Sequence, residues 1–272
     1  MHKTIDTYMD VEKPEEKKNV GVIEYPEETV KKIYSLWKYF VIKNKDVERE
    51  EALEEAIRII GKHSVPGRVV ADINEQYRDG LFYTALLNTG VARVTITKVT
   101  SNVACCENES GYCLQRGILE VRCHSEGILG ELGDGGCIIN YGDTWGLGTR
   151  ATNGVFINHG NVIYLGNEAK GGFFVNHGVV CTYELPDMAH FGYEATGGTF
   201  VNLSGEDYFV KVVKESVRSI SVPKNDTNTK LGKLLTHLSA ATQKEGIIEL
   251  SEVQEVTYKI EKEIRRICHK MR

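Results

Sequence analysis

The chain of 272 residues lacks the features that mark exported, membrane-spanning and many catalytic proteins. Its first residues contain no apolar core of the kind found in secretory signals, and no apolar run approaches the roughly 18 residues that span a bilayer. The sequence contains no G-x-S-x-G, no Walker A loop, no H-E-x-x-H and no C-x-x-C pair. These absences predict a cytoplasmic protein without membrane contact, and they leave no recognised catalytic motif.

Net charge and cysteine content exclude further classes. A formal net charge of -5 gives no overall attraction to nucleic acid or to an anionic membrane. The seven cysteines are odd in number and fit no compact disulfide pattern, so reduced thiols are expected. Four of them form a cluster in the sequence: Cys105, Cys106, Cys113 and Cys123. Adjacent cysteines on a strand point in opposite directions, so we interpret these four as buried or incidental thiols, and the sequence indicates no cofactor.

A repeated segment in the second half of the chain is the clearest structural signal. Four segments align, at residues 136–142, 154–160, 172–178 and 198–203. The first three begin 18 residues apart, and the fourth begins 26 residues later, which is one period plus an eight-residue insert. A fixed period with strand-like residues and Gly at the corners is typical of a β-solenoid. We therefore predict a mainly β fold, a parallel β-solenoid of about 18 residues per coil, with helical N-terminal and C-terminal segments.

Each aligned segment carries an asparagine after its strand-like residues, at Asn140, Asn158, Asn176 and Asn202. Stacked strands lie about 4.8 Å apart, so equivalent side chains form ladders. Asparagine at a bend can hydrogen-bond the local backbone and also its copies above and below. We therefore assign the four asparagines a structural role.

The segment around residues 160–172, Gly-Asn-Val-Ile-Tyr-Leu-Gly-Asn-Glu-Ala-Lys-Gly-Gly, resembles the repeat of the GXGXG β-helix family. That family includes the C-terminal domain of the glutamate synthase large subunit and a subunit of formylmethanofuran dehydrogenase. The resemblance covers residues 117–205, and the coils here are slightly shorter than the family's usual repeat. It implies an architectural element that docks against other parts of an assembly, and it carries over no catalytic residue.

The period of 18 is also three times six, which resembles the hexapeptide left-handed β-helix of acyltransferases. Apolar or small residues do fall at six-residue steps: Ile139, Trp145, Ala151, Ile157, Ile163, Ala169, Val175 and Cys181. Trp145 is large for the corner of such a helix. This second resemblance implies an enzyme that holds its cofactor along the coils.

The flanking regions divide the chain into three predicted parts: an N-terminal arm and helical cap at 1–67, the solenoid domain at 68–222, and a C-terminal helical segment at 223–272. In the first part, Pro26-Glu27-Glu28 predicts the start of one helix, since proline suits the first turn and acids suit its positive end. Asp46 is a good N-cap and predicts a second helix, which ends at Gly61. The apolar positions of the first helix are Val30, Ile33, Leu36, Trp37, Phe40 and Val41. We expect this pair of helices to cover one end of the solenoid.

The last helix carries an apolar seam at three-to-four spacing, formed by Val253, Val256, Ile260, Ile264 and Ile267. Such a seam packs either on the chain's own solenoid or on a second copy as a dimer interface, and both interpretations stay open. Residues 259–272 carry six Lys or Arg and two Glu. A basic helix of this kind contacts a phosphate backbone in some proteins and offsets the helix macrodipole in others. Its candidate binding residues are Lys262, Arg265, Arg266 and Lys270.

Two histidines occupy the same position in consecutive repeats, His159 and His177, so their imidazoles should stack one coil apart. They are candidate ligands of a shared metal, with His190 as a third ligand, and candidate general bases. Tyr141 and Leu203 stand at the same repeat position, which makes a polar structural role at a turn the alternative.

The insert at about residues 180–193 interrupts the period, and insertions in solenoids often form the binding surface. Its candidate contact residues are Tyr183, Leu185, Met188, His190 and Phe191. Together these features predict a non-catalytic assembly or interaction protein, either a subunit of a larger complex or a homodimer. The alternatives are an acyltransferase-like enzyme with His159 or His177 as base, and an RNA- or ribosome-associated factor that binds through its basic C-terminal helix.

Overall fold

Parallel β-sheets and helices together make up the described part of the chain, so the fold is mixed α/β. The structure is a computed structural model that describes residues 27–64, 67–74, 78–100, 109–180, 190–204, 218–222, 228–243 and 249–270. The helices are α1 Glu27–Lys43, α2 Arg49–Ile60, α3 Asp79–Thr89, α4 Lys230–Gln243 and α5 Leu250–Lys270. None of the helices within these ranges is both long and apolar enough to cross a membrane.

The described strands form two sheets. In chain order they are β1 Arg68–Asn74, β2 Arg93–Thr100, β3 Ile118–Val121, β4 Ser125–Leu129, β5 Asp134–Asn140, β6 Thr144–Leu147, β7 Asn153–Asn158, β8 Asn161–Leu165, β9 Phe173–Asn176, β10 Val179–Val180, β11 His190–Phe191, β12 Thr199–Asn202 and β13 Arg218–Ser221. Sheet A has eight strands in the order β1-β2-β3-β5-β7-β9-β12-β13. Sheet B has the order β10-β8-β6-β4, and β11 also pairs with β8. From β3 to β10 the chain therefore alternates between the two sheets, and β11 is a second consecutive strand of sheet B before β12 returns to sheet A.

Strand pairing follows the sequence period. Phe156 pairs with Ile138 and with Phe174, each 18 residues away, and Phe174 pairs with Phe200 across the longer interval. In the preceding strand pair, β3 with β5, Ile118 pairs with Cys137, which is 19 residues away. All of these pairs are parallel and in register, which confirms the predicted alignment of the four repeat segments, and the strand after Gly117 extends the same stack.

The main core fills the space between the two sheets. Leu129, Leu147 and Leu165 of sheet B belong to the same buried cluster as three Phe side chains of sheet A, those of Phe156, Phe174 and Phe200. Those rings form a continuous stack, since Phe156 and Phe174 have centroids 4.9 Å apart and Phe174 and Phe200 4.6 Å apart. Each fully buried Phe contributes roughly 1.5–3 kcal/mol through burial alone, so this stack is a major stabilising element.

A second core lies on the other face of sheet A, under α4 and α5. It joins outward-facing strand residues such as Ile139, Ile157 and Val175 to the apolar sides of both helices. The α5 seam is buried here: Val253, Val256, Ile260 and Ile264 are at most 5% exposed, and Ile267 packs against the cluster. The seam therefore packs on the chain's own sheet. A homodimer, which stays a prediction, needs another surface.

The residues that the sequence spaces six apart do not have the same surroundings in the structure. Ile139, Ile157 and Val175 face α4 and α5, Ala151 and Ala169 lie in the core between the sheets, and Trp145 is 52% exposed. Ile163 is partly buried, and Cys181 lies outside the described residues. Equivalent positions of a hexapeptide helix would share one environment, so the spacing by six is coincidental.

Helices α1, α2 and α3 cover the β1–β2 end of the core between the sheets. The two predicted N-terminal helices are confirmed, although the second begins at Arg49 with Glu48 as its N-cap, and not at Asp46. Helix α3 was missed, because the sequence predicts only β structure after Arg68. Ten of its eleven residues are buried, so it has no exposed polar face from which a helical period could be recognised.

Candidate functional site

The asparagine ladder runs along the carboxyl ends of strands β5, β7, β9 and β12. Asn140 donates through Nδ2 to Oδ1 of Asn158 at 2.9 Å, Asn158 to Asn176 at 2.9 Å, and Asn176 to Asn202 at 3.1 Å. Each of the first three also donates to the carbonyl two residues later, at Gly142, Gly160 and Gly178. The predicted structural role is confirmed, and these amides are engaged inside the protein.

Beside the ladder, three rings form a column: Tyr141, His159 and His177. Centroid distances are 5.0 Å from Tyr141 to His159 and 4.7 Å from His159 to His177, with nearly parallel planes. The column abuts the end of α4, where the hydroxyl of Tyr141 donates to the carbonyl of Thr242 and Nε2 of His159 lies 3.2 Å from Oγ1 of Thr242. The predicted stacking of the two histidines is confirmed, and the column joins α4 to the sheet.

The geometry of the stack bears on metal binding. The two imidazole planes differ by only 12°, so their in-plane lone pairs run side by side and do not converge on one point. Zinc requires convergent nitrogens about 2.0–2.1 Å away, so a shared ion needs at least one ring to rotate. His190 lies in β11, and its side chain is not described. In the described ranges, no group of three or more His, Cys, Asp or Glu is placed to hold a metal.

Burial lowers the pKa of His159 from an ordinary value of 6.5 to about 4. The imidazole is therefore neutral near pH 7 and is a weak base, whereas a general base works best with a pKa near the working pH. Burial also raises the pKa of Tyr141 to about 12, so its hydroxyl keeps the proton that it donates to Thr242. Both groups thus act as uncharged hydrogen-bonding and stacking partners.

We expect this burial to make the protein less stable in mild acid. Since the folded pKa of His159 lies below the unfolded value, the unfolded chain binds the proton first as pH falls from 6.5 to about 4. The free energy of unfolding should therefore drop by roughly 3 kcal/mol over this window. Urea unfolding at several pH values measures the drop, with His159→Leu as the comparison because Leu203 fills the equivalent position. An equal pH dependence in both proteins would contradict this assignment.

A buried ionic cluster continues from the column and was not predicted from the sequence. The side chain of Glu120 is fully buried and accepts hydrogen bonds from Arg93 and Arg122, and the guanidinium of Arg122 lies 5.5 Å from the ring centroid of Tyr141. Burial by itself would raise the pKa of Glu120, but the hydrogen bonds and charges of the two arginines outweigh it and hold the pKa below its usual range. One indication of this cluster is present in the sequence, because Arg93 and Glu120 are charged residues within segments that otherwise read as strands.

The insert is only partly described. Tyr183, Leu185 and Met188 lie outside the described residues. Phe191 is 1% exposed and packs edge-to-face on Phe200 with centroids 5.5 Å apart. The sequence-based interpretation of Phe191 as a contact residue is therefore wrong, and its apolar ring belongs to the core.

The basic residues of α5 are largely paired with acids of the same helix. Arg265 lies 3.7 Å from Glu261, and Arg266 forms a close ion pair with Glu263. Lys262 is exposed, and the side chain of Lys270 is not described. These pairs reduce the positive charge that α5 presents to a phosphate backbone.

The cysteines whose side chains are described are buried or partly buried. Cys137 is fully buried, and burial raises the pKa of its thiol to about 12. Cys113 and Cys123 are partly buried, while Cys105 and Cys106 lie outside the described residues.

A cleft of about 200 Å³ lies between α5 and the glycine-rich starts of the sheet A strands. Tyr258 and Gln254 stand on the helix side, and Gly154 and Gly172 on the strand side. The one acid in its lining, Glu261, is paired with Arg265. The cleft therefore offers an aromatic wall, amide groups and one carboxylate.

Helix α1 has two apolar faces, which the sequence pattern did not separate. One face is buried against α2 and α3 through Ile33, Trp37 and Val41, with Trp37 stacked on Phe82. The other carries three large apolar side chains that are 48%, 59% and 48% exposed: Leu36, Tyr39 and Ile42. Leu36 was expected to face inward with Trp37, but it lies about 100° around the helix from Trp37. These three side chains form an exposed apolar row on the outer side of α1.

Comparison of the chain with protein-family models, curated proteins and solved structures found no significant match.

Proposed function

We propose that the protein is a non-catalytic β-solenoid that serves as an assembly or interaction protein, with the exposed face of α1 as its contact surface. The solenoid architecture is supported by the in-register pairing of strands one period apart and by the alternation of the chain between two parallel sheets. An architectural role also agrees with the resemblance of the repeat to the GXGXG β-helix family.

The contacts that the repeated asparagines and histidines make within the chain favour an assembly function over the acyltransferase alternative. The four ladder asparagines bond one another and the local backbone. His159 contacts Thr242 at 3.2 Å, is flanked by two rings, and has a pKa of about 4. A buried imidazole in this state is a poor proton acceptor at neutral pH, so the residues that repeat most regularly are better suited to holding the fold than to catalysis.

The exposed face of α1 is the observation that carries the proposal. Leu36, Tyr39 and Ile42 share one side of a helix whose other side is fixed in the core. Leaving three large apolar side chains about half exposed costs solvation free energy that a partner would recover, at roughly 25 cal/mol per Å² of apolar area buried.

The test compares the full chain with Leu36→Glu/Ile42→Glu in extract from the native host. The native chain should elute in a species well above 30.4 kDa, and the variant should move towards the monomer. A matched control, Lys233→Glu/His237→Glu, introduces acids on an exposed side of α4 and should leave the elution unchanged. Elution of the native chain at monomer mass would overturn the proposal.

A further inference from the structure

The cleft between α5 and sheet A has a floor of open backbone. Gly154 and Gly172 lie side by side on this floor, since the residues that follow them, Val155 and Phe173, pair in the parallel ladder of β7 and β9. Both glycines have a positive φ, 105° and 98°, which side chains rarely adopt. A Cβ on Gly154 would also lie 2.7 Å from the carbonyl oxygen of Gly135. These positions therefore add no side chain to the cleft, and the space above the two strands stays open.

The cleft combines an apolar base with an aromatic wall. Its most deeply buried lining residues are Val155 and Phe173, which are 6% and 3% exposed and belong to the core under α4 and α5. On the helix side, Tyr258 is 66% exposed, so its ring is accessible to a ligand. An apolar cavity of roughly 150 Å³ holds a benzene molecule, so a cleft of about 200 Å³ fits a ligand of about 7–10 non-hydrogen atoms.

The charge of the cleft is negative. Among the described residues that line it, Glu261 is the one charged side chain, and it lies three residues after Tyr258 on the same side of α5. Its Oε2 atom is 3.7 Å from the guanidinium of Arg265, whose side chain is 61% exposed, so this ion pair is loose and screened by water. A carboxylate and the face of an aromatic ring both attract positive charge.

We propose that the cleft binds a small organic cation with an apolar body, an alkylammonium ion of about the size of choline. Its methylene and methyl groups would contact Val155 and Phe173, and its positive charge would lie against the ring of Tyr258 and the carboxylate of Glu261. An anion would meet this carboxylate without a positive side chain among the described lining residues to balance it. The proposal does not depend on the contact surface on α1.

Few groups hold the charge, so the affinity should be modest. One ring and one carboxylate that is 28% exposed leave much of the ligand in water. We expect a dissociation constant on the order of 1 mM at low ionic strength. Added salt should weaken binding further, because it screens a partly exposed carboxylate.

Titration of the purified full chain with choline, followed by two-dimensional NMR of the backbone amides, tests for the site. Choline should shift the amide signals of Gly154, Gly172 and Tyr258 in a saturable way. Its neutral isostere 3,3-dimethylbutanol, which has carbon in place of the nitrogen, should bind at least about tenfold more weakly. Equal binding of the two compounds, no saturable shift up to about 20 mM choline, or shifts confined to amides outside the cleft would overturn the proposal.

Substitutions on α5 test the groups that hold the charge. Glu261→Gln should weaken choline binding about fivefold, and Tyr258→Leu, which keeps apolar surface but removes the ring, about threefold. Glu255→Gln is the matched control, since it removes an acid from an exposed position of the same helix that does not line the cleft. It should bind choline as the native chain does. Circular dichroism shows that each variant is folded. Native affinity in either cleft variant, or an equal loss in the control, would contradict the assignment.

Discussion

Replacement of Gly160 by alanine is expected to lower the free energy of unfolding by more than about 4 kcal/mol, enough to unfold many domains. A Cβ at this position would overlap the carbonyl oxygen of Gly142 and lie 2.7 Å from its carbonyl carbon. These are backbone atoms of the neighbouring repeat, so no side-chain rotation relieves the overlap. Relief requires separation of the two repeats, which breaks the hydrogen bond from His159 N to Asn140 O and the amide ladder beside it.

Gly67→Ala is the matched control. A Cβ there has no neighbour within 4 Å, and the residue has no positive φ. Its free energy of unfolding should stay within about 1 kcal/mol of the native value. Urea unfolding followed by circular dichroism compares the two variants. Similar stability of both would show that the repeats do not approach each other as closely as described.

Replacement of Asn158 by leucine is the second large expected effect, a loss of roughly 3–5 kcal/mol in the free energy of unfolding. Leucine keeps the volume but removes an amide that joins three partners. Asn158 accepts from Asn140 at 2.9 Å, donates to Asn176 at 2.9 Å and donates to Gly160 O at 2.9 Å. All three asparagines are fully buried, so water cannot replace the lost bonds.

Asn161→Leu provides the comparison within the same repeat. Asn161 donates once, to Asp143 at 2.7 Å, and the side chain of Asp143 is 41% exposed. Water can therefore take over that bond, and we expect a loss within about 1 kcal/mol. If urea unfolding shows the same loss of unfolding free energy for both variants, the buried ladder stabilises the protein no more than the exposed hydrogen bond of Asn161 does.

The two large effects fall in the repeat because its glycines and asparagines hold the stack together. This agrees with a fold whose regular part is structural and whose contact surface lies elsewhere. The exposed face of α1, which we propose as the contact surface, lies on the N-terminal helices outside the repeat.

Much of the repeat geometry could be predicted because it is local and periodic. The spacing of Gly160 and Gly178 and of Asn158 and Asn176 predicted the register, since equivalent residues of parallel strands must align once the period is constant. The stacking of His159 on His177 followed from the same spacing.

Other features could not be read from periodicity. Helix α3 is buried on all sides, so it has no polar face to reveal its period. The ion pair of Arg93 with Glu120 joins positions 27 residues apart that become neighbours only through strand pairing. Phe191 is one of several apolar residues in the insert, and only the packing of its ring on Phe200 identifies it as a core residue.

The sequence by itself determined the repeat, its register, its turns and the ladder, because each depends on residue types at fixed intervals along one chain. Only the tertiary structure decided which apolar faces are covered. Helices α1 and α5 both carry more than enough apolar residues to pack, but burial depends on which other surface reaches each side. Sheet A covers the α5 seam, whereas α2 and α3 cover one side of α1 and leave the side with Leu36, Tyr39 and Ile42 exposed.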